Sequence, residues 1–116
     1  MKVVHLSDKP KVEVTVDGAL KACRQLVISK ADGTPSFSVR VFTIKPGGHT
    51  PFHVHPFEHI NYIIQGTGCL VSRKGKKTPL RKGHFALVLP DEKHQYRNTS
   101  RTRSLVLICA VPSHYE

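Results

Sequence analysis

An all-β fold, built from short antiparallel strands packed as a sandwich or barrel, is predicted by three features of this chain. Val and Ile recur with Thr, Phe and Tyr in short runs, eight glycines and eight prolines divide those runs, and no amphipathic segment of helical length stands out. Turn signals every ~8 to 12 residues between such runs are the pattern of a sandwich or barrel. A chain of 116 residues is one domain, long enough to bury a core and too short for two.

Taken in order, residues 1–10 are polar and read as a peripheral arm, with pairing to a second subunit as its expected use. Strands are expected over 12–16 and 21–29, which complete an N-terminal region of residues 1–30. Ala31-Asp32-Gly33-Thr34-Pro35 is a loop, and a strand over 37–44 follows it. Further strands are expected over 53–55, 59–65, 69–73, 76–80, 84–89, 94–98 and 105–111. Gln65-Gly66-Thr67-Gly68 closes one of them in a glycine turn, and Arg73-Lys74-Gly75-Lys76-Lys77 is a basic hairpin tip.

The chemistry concentrates in Gly47-Gly48-His49-Thr50-Pro51-Phe52-His53-Val54-His55-Pro56-Phe57-Glu58-His59, with His94 about one hairpin farther on. On an extended chain, residues two apart project from the same face, so His53 and His55 converge while Val54 turns away. Eight histidines in 116 residues will sometimes fall close together, and a bare His-x-His is weak evidence of a metal site. The Gly and Pro punctuation around this one strengthens the reading.

These residues resemble the cupins. The first cupin motif is a glycine, five residues, His-x-His, three or four residues, a glutamate, six residues and a glycine; Gly47, His53, His55, position 59 and Gly66 keep that count. The glutamate slot holds His59, and Glu58 sits one residue early, where a strand points it to the opposite face. Gly83, His94 and Asn98 keep the spacing of the second motif, although Pro90 is one residue late and Asp91 replaces a glycine. The match spans about residues 37–112, and His-x-His-Pro-Phe-Glu-His followed by Pro-Asp-Glu-Lys-His resembles the small four-histidine cupins, some of which bind manganese.

The resemblance implies a single-domain antiparallel β-barrel of jelly-roll type over residues 1–116, and a homodimer is expected because a short barrel with a polar N-terminal arm and long apolar strands has edges to cover. The resemblance also implies one divalent metal on His53, His55, His59 and His94, with manganese or iron expected first and zinc, nickel or copper as alternatives. Neutral nitrogen ligands leave the ion's charge uncompensated, so replacing the family glutamate with His59 makes a stronger electrophile. Open coordination positions would let such an ion bind a substrate through two oxygens and acidify it. The expected function is therefore a metal-dependent, dioxygenase-like enzyme acting on a small anionic or aromatic molecule, and the alternative is a non-catalytic ligand-binding or sensory protein. By the same resemblance, Phe42, Leu107 and Cys109 line the apolar part of the bowl and Arg40 lies near an anionic substrate group. Glu58 is either a partner orienting an imidazole or a surface residue.

Other chemistries find little support. There is no Gly-x-Ser-x-Gly elbow, phosphate loop or dinucleotide fingerprint. Glu13, Asp17, Asp91 and Glu92 read as solvated positions, His5 and His114 as exposed, His84 as a strand start, and His49 as flanking the pocket mouth. The formal charge is +10, but no aromatic interleaving or helix-turn-helix pattern supports nucleic-acid readout; a field that draws in anions is the favoured consequence. Cys23, Cys69 and Cys109 form no Cys-x-x-Cys pair, no run approaches a membrane span, and a reducing cytoplasm is the expected location.

Overall fold

A computed structural model describes all 116 residues. Nine strands curl into an antiparallel jelly-roll half-barrel: β1 (Val12–Glu13), β2 (Leu20–Ile28), β3 (Phe37–His49), β4 (His59–Gln65), β5 (Thr67–Ser72), β6 (Lys77–Arg81), β7 (Phe85–Val88), β8 (His94–Asn98) and β9 (Leu105–Pro112). Short 3-10 turns at Leu6–Asp8, Lys30–Asp32 and Ser113–Tyr115 are the only helical pieces. No helix is long and apolar enough to cross a membrane.

The strand order is β6-β5-β8-β3-β9-β4-β7, with β2 on the flank of β3 and β1 on β2. β3 holds the two halves together: Phe37 to Ile44 pair with β9, whereas His49 at its far end pairs with Arg97 of β8. β3 runs past Ile44, where the sequence pattern ends it, and through Pro46. The reason is an irregularity in which only Lys21 of β2 lies opposite residues 45–48 of β3, between the pairs Leu20–His49 and Ala22–Ile44. Pro46 has no N–H to offer a ladder, and a bulge asks for none.

Two other expectations are corrected. Residues 53–55 form no strand; His53 alone makes an isolated bridge to His94, because Pro51 and Pro56 flank the segment and neither can donate a ladder hydrogen bond. The strand expected over 12–16 shortens to Val12–Glu13, and the chain then turns through Gly18 at φ 88°. The N-terminal arm folds onto its own sheet, where Gln25 Nε2 donates to the carbonyls of Leu6 (3.0 Å) and Lys9 (2.9 Å).

Alternation sorts the strands into two faces. Leu105, Leu107, Cys109 and Val111 of β9 are buried, with Ile44 and Ile63 beside them. Each such aliphatic side chain contributes about 1.5 to 3 kcal/mol by leaving water. Gly66, at φ 86°, lets the β4–β5 corner pass within contact of the 104–105 backbone; a Cβ there would meet Ser104 O at 2.2 Å.

Candidate metal centre

The inward faces of β3, β4, β8 and β9 enclose a cavity of about 520 Å³, roofed at its mouth by residues 12–17. His53, His55, His59 and His94 all line it, as do Arg40, Phe42, Leu107 and Cys109. Ile44 and Val111, on the same alternations, lie deeper in the core.

Backbone pairing explains how the histidines meet. His53 N donates to His94 O (3.1 Å) and His94 N to His53 O (3.0 Å), so the two residues are directly opposite and their rings lie 5.0 Å apart. His55 is held by its carbonyl, which accepts from Asp91 N at 2.7 Å. Asp91 stands in the turn Leu89-Pro90-Asp91-Glu92 with φ 65°, the left-handed conformation that a glycine in its place would supply and that Asp tolerates. The turn therefore keeps its path without the glycine, and β8 starts with His94 in position.

Nitrogen donors of His53, His55 and His94 lie within 4.8 Å of one another, a group that could hold a metal ion. His59 approaches the same point, with its Nε2 3.2 Å from His94 Nε2. That contact is not a hydrogen bond. His94 Nδ1 lies 2.8 Å from the carbonyl of Glu92, which can only accept. His59 Nδ1 lies 2.8 Å from Asn61 Oδ1, which also accepts the Tyr96 hydroxyl at 2.6 Å, while Asn61 Nδ2 donates to Ile108 O. Both Nδ1 atoms therefore carry the proton, and two Nε2 lone pairs face each other.

The rings are also held neutral. Burial pushes His53 down to about 4, with the charges of His94 and Arg40 adding to it. Burial also lowers His55 to about 3 and His59 to about 4, the latter against the opposing effect of its hydrogen bond to Asn61, and it lowers His94. Neutral rings with convergent lone pairs are what a divalent cation requires.

Asn61 and Tyr96 are the functional residues that sequence reasoning missed. Both are two positions from a histidine, on the inward face of β4 and β8, so alternation from His59 and His94 was the available signal. Tyr96 lies in the cavity wall, and burial drives its hydroxyl well above its usual range. Glu58 is exposed, and none of the hydrogen bonds made by the four rings goes to it. His49 contacts Thr50 O and Gln95 outside the cavity, and Glu13 and Asp17 are exposed at its mouth. Phe57 stacks on His55 (ring centroids 4.7 Å) and Tyr115 on Phe57 (4.2 Å), a column that buttresses the ring from outside.

Residues 40–111 match the family described as Cupin domain. The chain is a cupin. Among solved structures it is similar to the polyketide cyclase RemF from Streptomyces resistomycificus, with a TM-score of 0.91 and 26% identity over 97% of this chain and 80% of that one. It is also similar to a predicted oxalate decarboxylase from Thermotoga maritima (TM-score 0.83, 22% identity, 96% of this cupin and 98% of that chain). A third likeness is to ectoine synthase from P. lautus (TM-score 0.78, 23% identity, 96% and 77%). Among curated protein sequences none matches.

Proposed function

We propose that this cupin is a metal-dependent enzyme acting on a small molecule, with one divalent ion held by His53, His55, His59 and His94. The observation that carries the reading is the pair of unprotonated Nε2 atoms 3.2 Å apart at the wall of a cavity, an arrangement that is repulsive until a cation lies between them. The donor set is all nitrogen, which suits manganese, iron, zinc, nickel or copper, with manganese or iron favoured for dioxygenase-like chemistry. When bound, the ion supplies Lewis acidity toward substrate oxygens and, if it is iron or manganese, one-electron chemistry with dioxygen. The chain's own residues do the rest. Asn61 and the Glu92 carbonyl fix the tautomers of His59 and His94, Phe42 and Leu107 give the substrate an apolar wall, and the 12–17 segment limits water at the mouth. The likeness to RemF supports an enzymatic role over a purely ligand-binding one.

The test is metal analysis of protein purified without an affinity tag, followed by oxygen consumption with keto-acids and catechol-like compounds. One transition metal per chain with turnover of one of these classes is the expected result. A metal-free protein that takes up no divalent ion would overturn the reading; one that binds metal and ligand without turnover would return it to the ligand-binding alternative.

The same reading includes a homodimer, formed through the outer face of β3, β9, β4 and β7. Ile60 pairs with Leu87 and Tyr62 with Phe85 across β4 and β7, and Ile60, Leu87 and Phe85 are 52%, 57% and 74% exposed. β9, β4 and β7 carry no charged side chain on this face, and Lys45 of β3 stands exposed at its end, although the chain carries 26 charged residues. Such a face measures on the order of 20 by 25 Å, so two copies bury about 1,000 Å², enough for a specific interface. It is also where two chains of charge +10 meet with least repulsion. Light scattering should give a dimer at micromolar concentration, and a monomer there would contradict the assignment. The three cysteines are free, which fits a reducing cytoplasm.

A further inference from the structure

Arg40 carries a positive charge in the cavity wall and forms no ion pair. It points inward from β3, beside Phe42, with its guanidinium carbon 5.1 Å from that ring's centroid. Its Nη2 donates to Cys109 Sγ at 3.2 Å, and a thiol is a weak acceptor. Its Nε is the single buried side-chain nitrogen or oxygen in the molecule that has no hydrogen-bond partner. The chain's one ion pair is Lys2–Asp32, outside the cavity lining, and the carboxylates that do line the cavity, Glu13 and Asp17, are exposed. Arg24, which pairs with Phe42 across β2 and β3, lines the same cavity and adds a second positive charge.

A half-buried guanidinium without a counter-ion is costly, because desolvation weakens its hydration and nothing in the protein replaces it. The histidine cluster, once it holds a cation, is positive as well. Phe42, Leu107, Val14 and Pro51 add an apolar lining. Only the exposed Glu13 and Asp17 bring negative charge to the lining, and the less exposed part of the wall offers apolar surface and no carboxylate.

We propose that Arg40 is the counter-ion site for the substrate, and that the cavity takes small organic acids. The carboxylate would pair with Arg40, an aromatic or aliphatic body would pack on Phe42 and Leu107, and oxygen donors at the far end would face the histidine cluster. This deepens the metal-enzyme reading and rests on it for the role of the far end. The carboxylate contact itself needs only Arg40.

The test compares 3,4-dihydroxybenzoate with its neutral amide by calorimetry, on protein with and without added Mn²⁺, in wild type, Arg40→Lys and Arg40→Met. Mn²⁺ alone is titrated into each protein first. The expected result is that the acid binds wild type about tenfold or more tightly than the amide, as a charge-assisted pair gives. That preference should persist in metal-free protein, fall in Arg40→Lys, where a point charge replaces the planar fork, and vanish in Arg40→Met. Mn²⁺ binding should be retained in both variants, which shows that they are folded. Acid and amide binding wild type alike, neither binding at millimolar concentration, or a full preference surviving in Arg40→Met would each overturn the proposal. If the wild type takes up no Mn²⁺ but still prefers the acid, the organic-acid site stands and the metal reading falls.

Discussion

The two faces of strand β4 reverse the usual arrangement of a soluble sheet. The inward face of β4 carries His59 and Asn61, 4% and 1% exposed, whereas its outward face carries Ile60 at 52%. Antiparallel sheets ordinarily alternate apolar inside with polar outside. Here polar groups have been placed in the interior, and they are tolerated because each has a partner: His59 bonds to Asn61, Asn61 to Tyr96 and Ile108 O, and His94 to Glu92 O. The atoms left over are the Nε2 lone pairs. An interior polar network with one unmet requirement points to a ligand, whereas the exterior apolar face is the surface we propose for the dimer.

The largest effect that can break this comparison is removal of an inner ligand. His94→Ala deletes the donor that faces both His53 and His59, and metal titration should show affinity falling by well over the ~10- to 100-fold that loss of an orienting partner costs. On the outer face, Ile60→Asp with Leu87→Asp should convert the dimer to monomer by light scattering while leaving metal stoichiometry unchanged. Loss of metal in that variant would mean that the two faces are not independent.

A smaller effect is expected from Asn61→Leu, which keeps the ligands and removes the group that sets the His59 tautomer. Metal affinity should fall ~10- to 100-fold, with ~1 to 3 kcal/mol lost in metal-free stability because the His59 and Tyr96 donors are left unpaired. Denaturant titration and metal titration of the one variant read both. Unchanged affinity would remove Asn61 from the site.

The smallest effect is the pH dependence of the metal-free protein. His53, His55 and His59 sit at about 4, 3 and 4 when folded, against 6.5 when unfolded. The unfolded chain therefore binds more protons, and stability should decline as pH falls from about 6.5 toward about 3, with no such loss above 6.5. A His53→Gln, His55→Gln variant should lose part of that slope in denaturation midpoints measured at pH 7 and 4.5. An identical slope in the variant would show that these rings are not buried neutral.

Much of this was legible in the residues. Period-two alternation identified β4, β8 and β9 to within a residue or so, and it also put Arg40 with Phe42, and Leu107 with Cys109, on shared faces. The motif spacing gave the histidines their register. What was not legible depended on pairing between distant segments. His53 reaches the site through one bridge to His94 and not through a strand of its own, since Pro51 and Pro56 leave too few N–H groups for one. The extension of β3 through Pro46 depends on the irregularity at Lys21, which no local pattern announces. Asn61 and Tyr96 are 35 residues apart and become a pair only when the sheet curls.

The most direct test of the central claim is metal stoichiometry and affinity in His59→Ala beside wild type, with both proteins loaded with Mn²⁺ or Fe²⁺ at neutral pH and desalted. Four-histidine ligation predicts one ion per chain in the wild type and a marked loss of occupancy in the variant. Equal occupancy and equal affinity in the two proteins would show that His53, His55 and His94 hold the ion alone, and would contradict the assignment of His59 as a ligand.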